Sequence, residues 1–169
     1  PERRHVSLFY QSGKAHVEYQ PKGVIGVMAP WNYPISLTLI PLATALASGN
    51  RAMLKPSELT PRTSAVIHRM LASIFTIDEV AVVLGGPEVG AEFSALSFDH
   101  LIFTGSTPVG RKVMKAASDN LVPLTLELGG KSPVIIAKGH VNQRTMTSIA
   151  YGKLSNSGQT CVAPDYALV

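Results

Sequence analysis

The chain has 169 residues, of which 46% are apolar and 15% charged, enough to bury one full hydrophobic core and too apolar for disorder. Its net charge of +4 comes from cations dispersed along the chain, Arg3, Arg4, Lys14, Lys22, Arg51, Lys55, Arg62 and Arg69 among them, with no basic helix face interleaved with aromatics. That pattern argues against a nucleic-acid partner.

The start, Pro1-Glu2-Arg3-Arg4-His5, has neither an initiator Met nor an apolar leader. It reads as a fragment or a processed chain without a secretory signal. Val6 to Tyr10, the Ser-Gly turn in Gln11-Ser12-Gly13-Lys14, and Ala15 to Gln20 are expected to form a β-hairpin. Gly23 to Asn50 carries no charge and is long enough to span a bilayer, yet Pro30, Asn32, Pro34 and Pro41 interrupt it. It therefore reads as a buried strand, a loop and a helix, with no membrane span.

Val24 to Met28 is a continuous apolar run, the mark of a strand covered on both faces. Ile35 to Ser48 follows as a crossover helix, with Pro34 suited to its first turn and Gly49-Asn50 to its exit. Pro41 inside it removes one backbone bond and is expected to kink it. Ala52 to Lys55 is the next strand, about thirty residues after the first, the length of one βαβ unit.

The alternation continues with a helix over Thr63 to Ser73 and a strand over Val80 to Leu84. A short helix over Pro87 to Ala95, a strand over His100 to Phe103 and a helix over Pro108 to Ala117 come next, then a strand over Val122 to Glu127. After Gly129-Gly130, Ser132 to Ala137 reads as a strand and Val141 to Leu154 as a helix leading to a loop. The expected fold is α/β, a Rossmann-like, mainly parallel sheet with right-handed crossovers. Residues 1–20 form its hairpin lead-in, 21–127 the nucleotide-binding domain and 128–169 the start of a second, catalytic domain.

That final loop, Asn156-Ser157-Gly158-Gln159-Thr160-Cys161, holds the single cysteine. One cysteine excludes an intrachain disulfide and fits a reducing, cytoplasmic setting. A lone cysteine is ordinarily an inert small hydrophobe, and the context is what changes the reading. Glu127 lies thirty-four residues upstream, between an apolar strand and two glycines, and Asn32 stands in Pro30-Trp31-Asn32-Tyr33-Pro34. A thiol, a carboxylate and an amide donor are the parts needed to form and hydrolyse a thioester.

Polar or glycine segments also recur at the carboxyl ends of the strands, where open α/β sheets bind ligands. They are Trp31-Asn32, Lys55-Pro56-Ser57-Glu58, Gly85-Gly86-Pro87 and Thr104-Gly105-Ser106. Gly105 to Lys112 imitates a phosphate loop, but Gly110 is followed by Arg111-Lys112, not the Lys-Ser/Thr that an ATPase requires. Nor is there a Gly-x-Gly-x-x-Gly fingerprint. What remains is a helix start with Ser106 or Thr107 as cap, whose N–H groups suit a pyrophosphate. Lys55 and Glu58 suit ribose hydroxyls, and a carboxylate there repels a 2′-phosphate, which favours NAD over NADP. The five histidines are scattered, so no metal site is expected.

Five motifs together resemble the NAD(P)-dependent aldehyde dehydrogenase superfamily. They are Pro30 to Pro34, Lys55 to Glu58, Phe103 to Ser106, Glu127 to Pro133 and Gly158 to Cys161. Ala163-Pro164-Asp165-Tyr166 is most similar to its coniferyl aldehyde dehydrogenase branch, near the class 3 and fatty aldehyde enzymes. The resemblance implies Cys161 as nucleophile, Asn32 and the Cys161 N–H as oxyanion donors, and Glu127 as the base that releases the acid. It implies Lys55 and Glu58 at the adenine ribose, Ser106 at the pyrophosphate, and Gly86, Gly90, Gly105 and Val109 along the adenine. Met28 and Trp31 would flank the cofactor, with the Leu128 backbone at the nicotinamide.

The resemblance further implies an internal piece of a longer enzyme, a homodimer or homotetramer at full length, that turns over poorly in this form. Two other readings stay open. One is an acylating or semialdehyde relative, which typically lacks the carboxylate at Glu127. The other is a nucleotide-binding module without catalysis.

Overall fold

The computed structural model describes residues 1–10 and 12–169. Five strands make the central sheet: β3 (Val24–Met28), β4 (Arg51–Lys55), β5 (Val80–Val82), β6 (His100–Thr104) and β7 (Leu124–Glu127). They lie in the order β5-β4-β3-β6-β7, and every pairing is parallel. The order runs outward from β3 in both directions, so the chain changes sides between β3 and β6. In sheets of this kind the ligand crevice opens at that switch point, beyond the carboxyl ends of the strands.

Alternation along the strands sends side chains into two layers. Ile25, Val27, Ala52 and Leu54 pack with Leu42 of α1 (Ser36–Ala47) and with Ile67 and Leu71 of α2 (Pro61–Ala72). Met28, Leu101 and Phe103 point the other way, onto Phe93 of α3 (Pro87–Ser94) and Val113 and Ala117 of α4 (Thr107–Ser118). Helices thus cover both faces, which is why these strands read as continuous apolar runs. Gly26 admits a close approach at the centre, since a Cβ there would lie 2.7 Å from the Phe98 ring and 2.8 Å from Leu101 Cδ1.

Helix α1 continues past Pro41 to Ala47. It ends as Gly49 turns left-handed at φ 78°. Gly49 N–H donates to Leu46 O and Asn50 N–H to Ala45 O, both at 2.9 Å, which satisfies the last carbonyls. Asn50 Oδ1 then accepts the Lys22 and Gly23 N–H groups, at 2.6 and 3.0 Å, and sets the start of β3.

The lead-in departs from expectation. Leu8–Tyr10 form a single 3-10 turn, and the antiparallel pair is β1 (Glu2–Arg4) with β2 (Ala15–Val17). Leu8, Phe9 and Tyr10 are exposed, so no covering layer rewards an apolar strand there. Backbone pairing sets Glu2 opposite Val17 and Arg4 opposite Ala15, and the Glu2 carboxylate also accepts from Arg4 at 2.8 Å and from the Tyr19 hydroxyl at 3.3 Å. Gln11 of the expected turn lies outside the described residues.

After β7 a separate two-stranded parallel sheet begins, β8 (Ser132–Ile135) with β9 (Pro164–Leu168). Between them runs α5 (Gln143–Leu154), capped by Asn142, whose Oδ1 accepts the Thr145 N–H at 3.0 Å. The pairing brings the segment after the cysteine back beside the Gly129-Gly130 turn. Among the described residues no helix is long and apolar enough to cross a membrane.

Candidate active site

A cleft of about 690 Å³ opens at the switch point. Its floor is the carboxyl end of four strands, with Met28 from β3, Lys55 from β4, Phe103 and Thr104 from β6, and Glu127 from β7. The loop before α1 adds Trp31 and Asn32, and the cysteine loop adds Gln159, Thr160 and Cys161. The thiol, the carboxylate and the amide, far apart in sequence, therefore line one space.

The loops carrying Asn32 and Cys161 are bonded to each other. Asn32 Nδ2 donates to Gln159 O at 2.8 Å, and Asn156 Nδ2 donates back to Asn32 O at 3.0 Å. The Tyr33 and Thr160 hydroxyls meet at 2.7 Å. An amide nitrogen carries two hydrogens, so Asn32 keeps one for a ligand. Before the cysteine, Asn156, Ser157 and Gly158 are all left-handed, at φ 50°, 57° and 78°. That conformation costs a non-glycine residue roughly 1–2 kcal/mol, and the Asn156 bond to Asn32 O helps hold it. Cys161 itself is exposed, and a Cβ on Gly130 would come within 3.3 Å of its carbonyl oxygen.

At the other end, Lys55 is buried, 5% exposed, and its Nζ reaches Glu58 Oε2 at 3.0 Å. A buried ammonium needs such a partner. Burial pushes the Glu58 carboxyl up, but its backbone hydrogen bond and the bond and charge of Lys55 outweigh this, and its pKa falls below the ordinary 4.5. A depressed carboxylate pKa adds stability above the ordinary value that is lost as pH falls through the folded one. The thermal midpoint is accordingly expected to drop below pH 4.5, and to drop less in Glu58→Gln, as scanning calorimetry across that range would record.

Gly90 of α3 keeps this corner open, since a Cβ there would lie 3.2 Å from Lys55 Cε. Ser106 occupies the cap position of α4, but its hydroxyl makes no capping bond. The first-turn N–H groups of α4 and the Ser106 hydroxyl remain open to an anion. Gly105, Val109 and Leu128 also line the cleft. Gly86 caps α3 by position, directly before Pro87, which lines the cleft. The sequence reading missed Lys112 and Ala116, which extend the wall from Val109 and Val113 along one face of α4. Their spacing of three and four residues was the available signal. Among the described residues no His, Cys, Asp and Glu cluster could hold a metal ion.

Together these features define a doubly wound α/β protein with a cleft at its switch point that Cys161 helps to line. The chain belongs to the aldehyde dehydrogenase family, whose sequence model matches residues 2–169. A probable coniferyl aldehyde dehydrogenase of Pseudomonas aeruginosa is 56% identical over 169 residues, all of this chain and 36% of its own length. A coniferyl aldehyde dehydrogenase of a Pseudomonas species is 55% identical, over 99% of this chain and 35% of its own.

Among solved structures, Staphylococcus aureus AldH in its substrate-bound state superposes with a TM-score of 0.95 and 43% identity, covering 99% of this chain and 37% of that one. Mycobacterium tuberculosis aldehyde dehydrogenase complexed with NAD+ gives 0.89 and 35% identity, over 99% and 34%. The chain thus spans about a third of the length of these relatives.

Proposed function

We propose that this chain carries the nucleotide-binding part and the nucleophile of an enzyme that oxidises an aldehyde to its carboxylic acid, with NAD as acceptor. Its substrate would be coniferyl aldehyde, which two relatives carry in their names, or another aromatic or long-chain aldehyde. The observation that carries this reading is the shared cleft, in which Cys161, Glu127 and Asn32 line the same space as Lys55, Glu58 and Ser106.

The residues fit a dinucleotide. Lys55 and Glu58 would hold the adenine ribose hydroxyls, with Gly90, Gly105 and Val109 leaving room for the base. Ser106 and the α4 N-terminus would take the pyrophosphate, Met28 and Trp31 would flank the chain of the cofactor, and the Leu128 backbone would meet the nicotinamide. The Glu58 carboxylate would repel a 2′-phosphate, so NAD is favoured over NADP. When bound, the nicotinamide supplies a two-electron acceptor.

The Cys161 thiolate adds to the aldehyde carbon, and the carbonyl electron pair moves to oxygen, where the free Asn32 N–H and the Cys161 N–H donate to it. Losing one such donor typically costs about 100-fold in rate. Once the adduct is oxidised to the thioester, Glu127 takes a proton from the water that attacks its carbonyl. Collapse of that tetrahedral species expels the Cys161 thiolate and frees the acid.

Cys161→Ala tests the assignment. With benzaldehyde as probe, the wild-type chain is expected to lose the conjugated carbonyl absorption of the aldehyde on adduct formation, and the variant to show no loss. NAD binding, followed by fluorescence of the single tryptophan, Trp31, in the cleft wall, should stay within about twofold. Equal aldehyde loss in both proteins would defeat the reading.

A further inference from the structure

The bond between Tyr33 and Thr160 joins the residue after Asn32 to the residue before Cys161. From it we propose that Tyr33 is a positioning residue for the nucleophile. Its hydroxyl, held on Thr160, fixes the Thr160-Cys161 backbone over the cleft, so that the thiol and the Asn32 amide address one carbonyl group. The inference rests on the roles proposed for Cys161 and Asn32, and adds to them a residue that acts through Thr160.

The cysteine loop needs such an anchor. Asn156, Ser157, Gln159, Cys161 and Val162 are exposed, so no apolar side chain of this stretch is buried in either core layer. Its backbone runs through three consecutive left-handed residues, a shape that relaxes unless its surroundings hold it. The bonds that cross to the Asn32 loop are few. Two of them use the Asn32 amide and carbonyl, and the third is the hydroxyl pair.

That third bond has properties the other two lack. Tyr33 and Thr160 are both half-buried, so water competes for their hydroxyls less than it does at the exposed Asn156 and Gln159. The ring of Tyr33 is rigid and costs little entropy to hold. Phenylalanine would fill the same space and form no such bond, which makes the hydroxyl separable from the packing.

The test compares Tyr33→Phe, Thr160→Val, the double variant and Thr160→Ser in this chain. Amide hydrogen exchange of a peptide spanning residues 155–163 reads the loop, and benzaldehyde adduct formation at Cys161 reads the chemistry. Each of Tyr33→Phe and Thr160→Val should speed exchange and weaken the adduct about tenfold, the worth of one net hydrogen bond. The double variant should be no worse than either single one, because one bond can be cut only once. Thr160→Ser, which keeps the hydroxyl, should behave as wild type, and in the other three the urea midpoint should fall by no more than the loss of one hydrogen bond accounts for.

Unchanged exchange in both single variants, additive losses in the double, or a Thr160→Ser that fails like Thr160→Val would each overturn the proposal. Should the wild-type chain form no adduct while exchange responds as expected, the proposed chemistry falls and the anchoring of the loop by Tyr33 stands.

Discussion

Glu127→Gln is expected to leave acylation of Cys161 by p-nitrophenyl acetate intact and to slow release of acetate from the resulting thioester by about 100-fold or more. The activated ester loads the thiol without any nucleotide, which isolates the hydrolytic half of the proposed reaction. Glu127 ends β7 and borders the cleft that also contains Cys161. Glutamine keeps the shape and the acceptor oxygen but cannot take the proton of an attacking water. The measurement is a burst of nitrophenolate followed by a steady rate. The burst should persist in the variant and the steady rate should collapse. A variant that loses both phases together would point to a role for Glu127 in activating the thiol, and a variant that loses neither would remove it from the mechanism.

Leu101→Ala is expected to cost about 3–5 kcal/mol of stability, the upper part of the range for buried leucines. Leu101 is 0% exposed. It lies on β6 directly opposite Gly26 of β3, at the switch point itself. Its Cδ1 already fills the space that a side chain at position 26 would take. Truncation therefore leaves a cavity that glycine has no atoms to fill, and the surroundings can collapse only partly. Urea unfolding followed by circular dichroism gives the loss directly. Ile77→Ala, at a site 83% exposed, should change stability by no more than about 0.5 kcal/mol. If Leu101→Ala cost as little, the sheet would not be packed through this residue.

Much of the fold could be read from the residues because strands buried on both faces and helices bounded by proline and glycine leave local marks. Val24 to Met28 is such a strand, and Gly49 closes α1 through the left-handed turn that its position demanded. Reading failed where the deciding interaction was not local. The apolar run from Val6 to Tyr10 looked like a strand, but among the described residues nothing covers Leu8, Phe9 and Tyr10, and the pairing fell to Glu2–Arg4. β9 went unseen because Pro164-Asp165 opens like a turn, and its partner β8 lies about thirty residues upstream.

The same division holds for the cleft. Cys161, Glu127 and Asn32 were recognisable by residue type and motif, and the turns at strand ends pointed to one side of the sheet. The hydroxyl pair of Tyr33 and Thr160 joins positions 127 apart, a separation no spacing rule covers.

The claim beneath all of this is that the thiol and the nucleotide share a single cleft. Titrating NAD while following both Trp31 fluorescence and the rate of Cys161 alkylation by iodoacetamide tests it most directly. The account predicts that NAD changes both signals, with half of each change at the same NAD concentration. A tryptophan signal that saturates while the alkylation rate stays constant would contradict it.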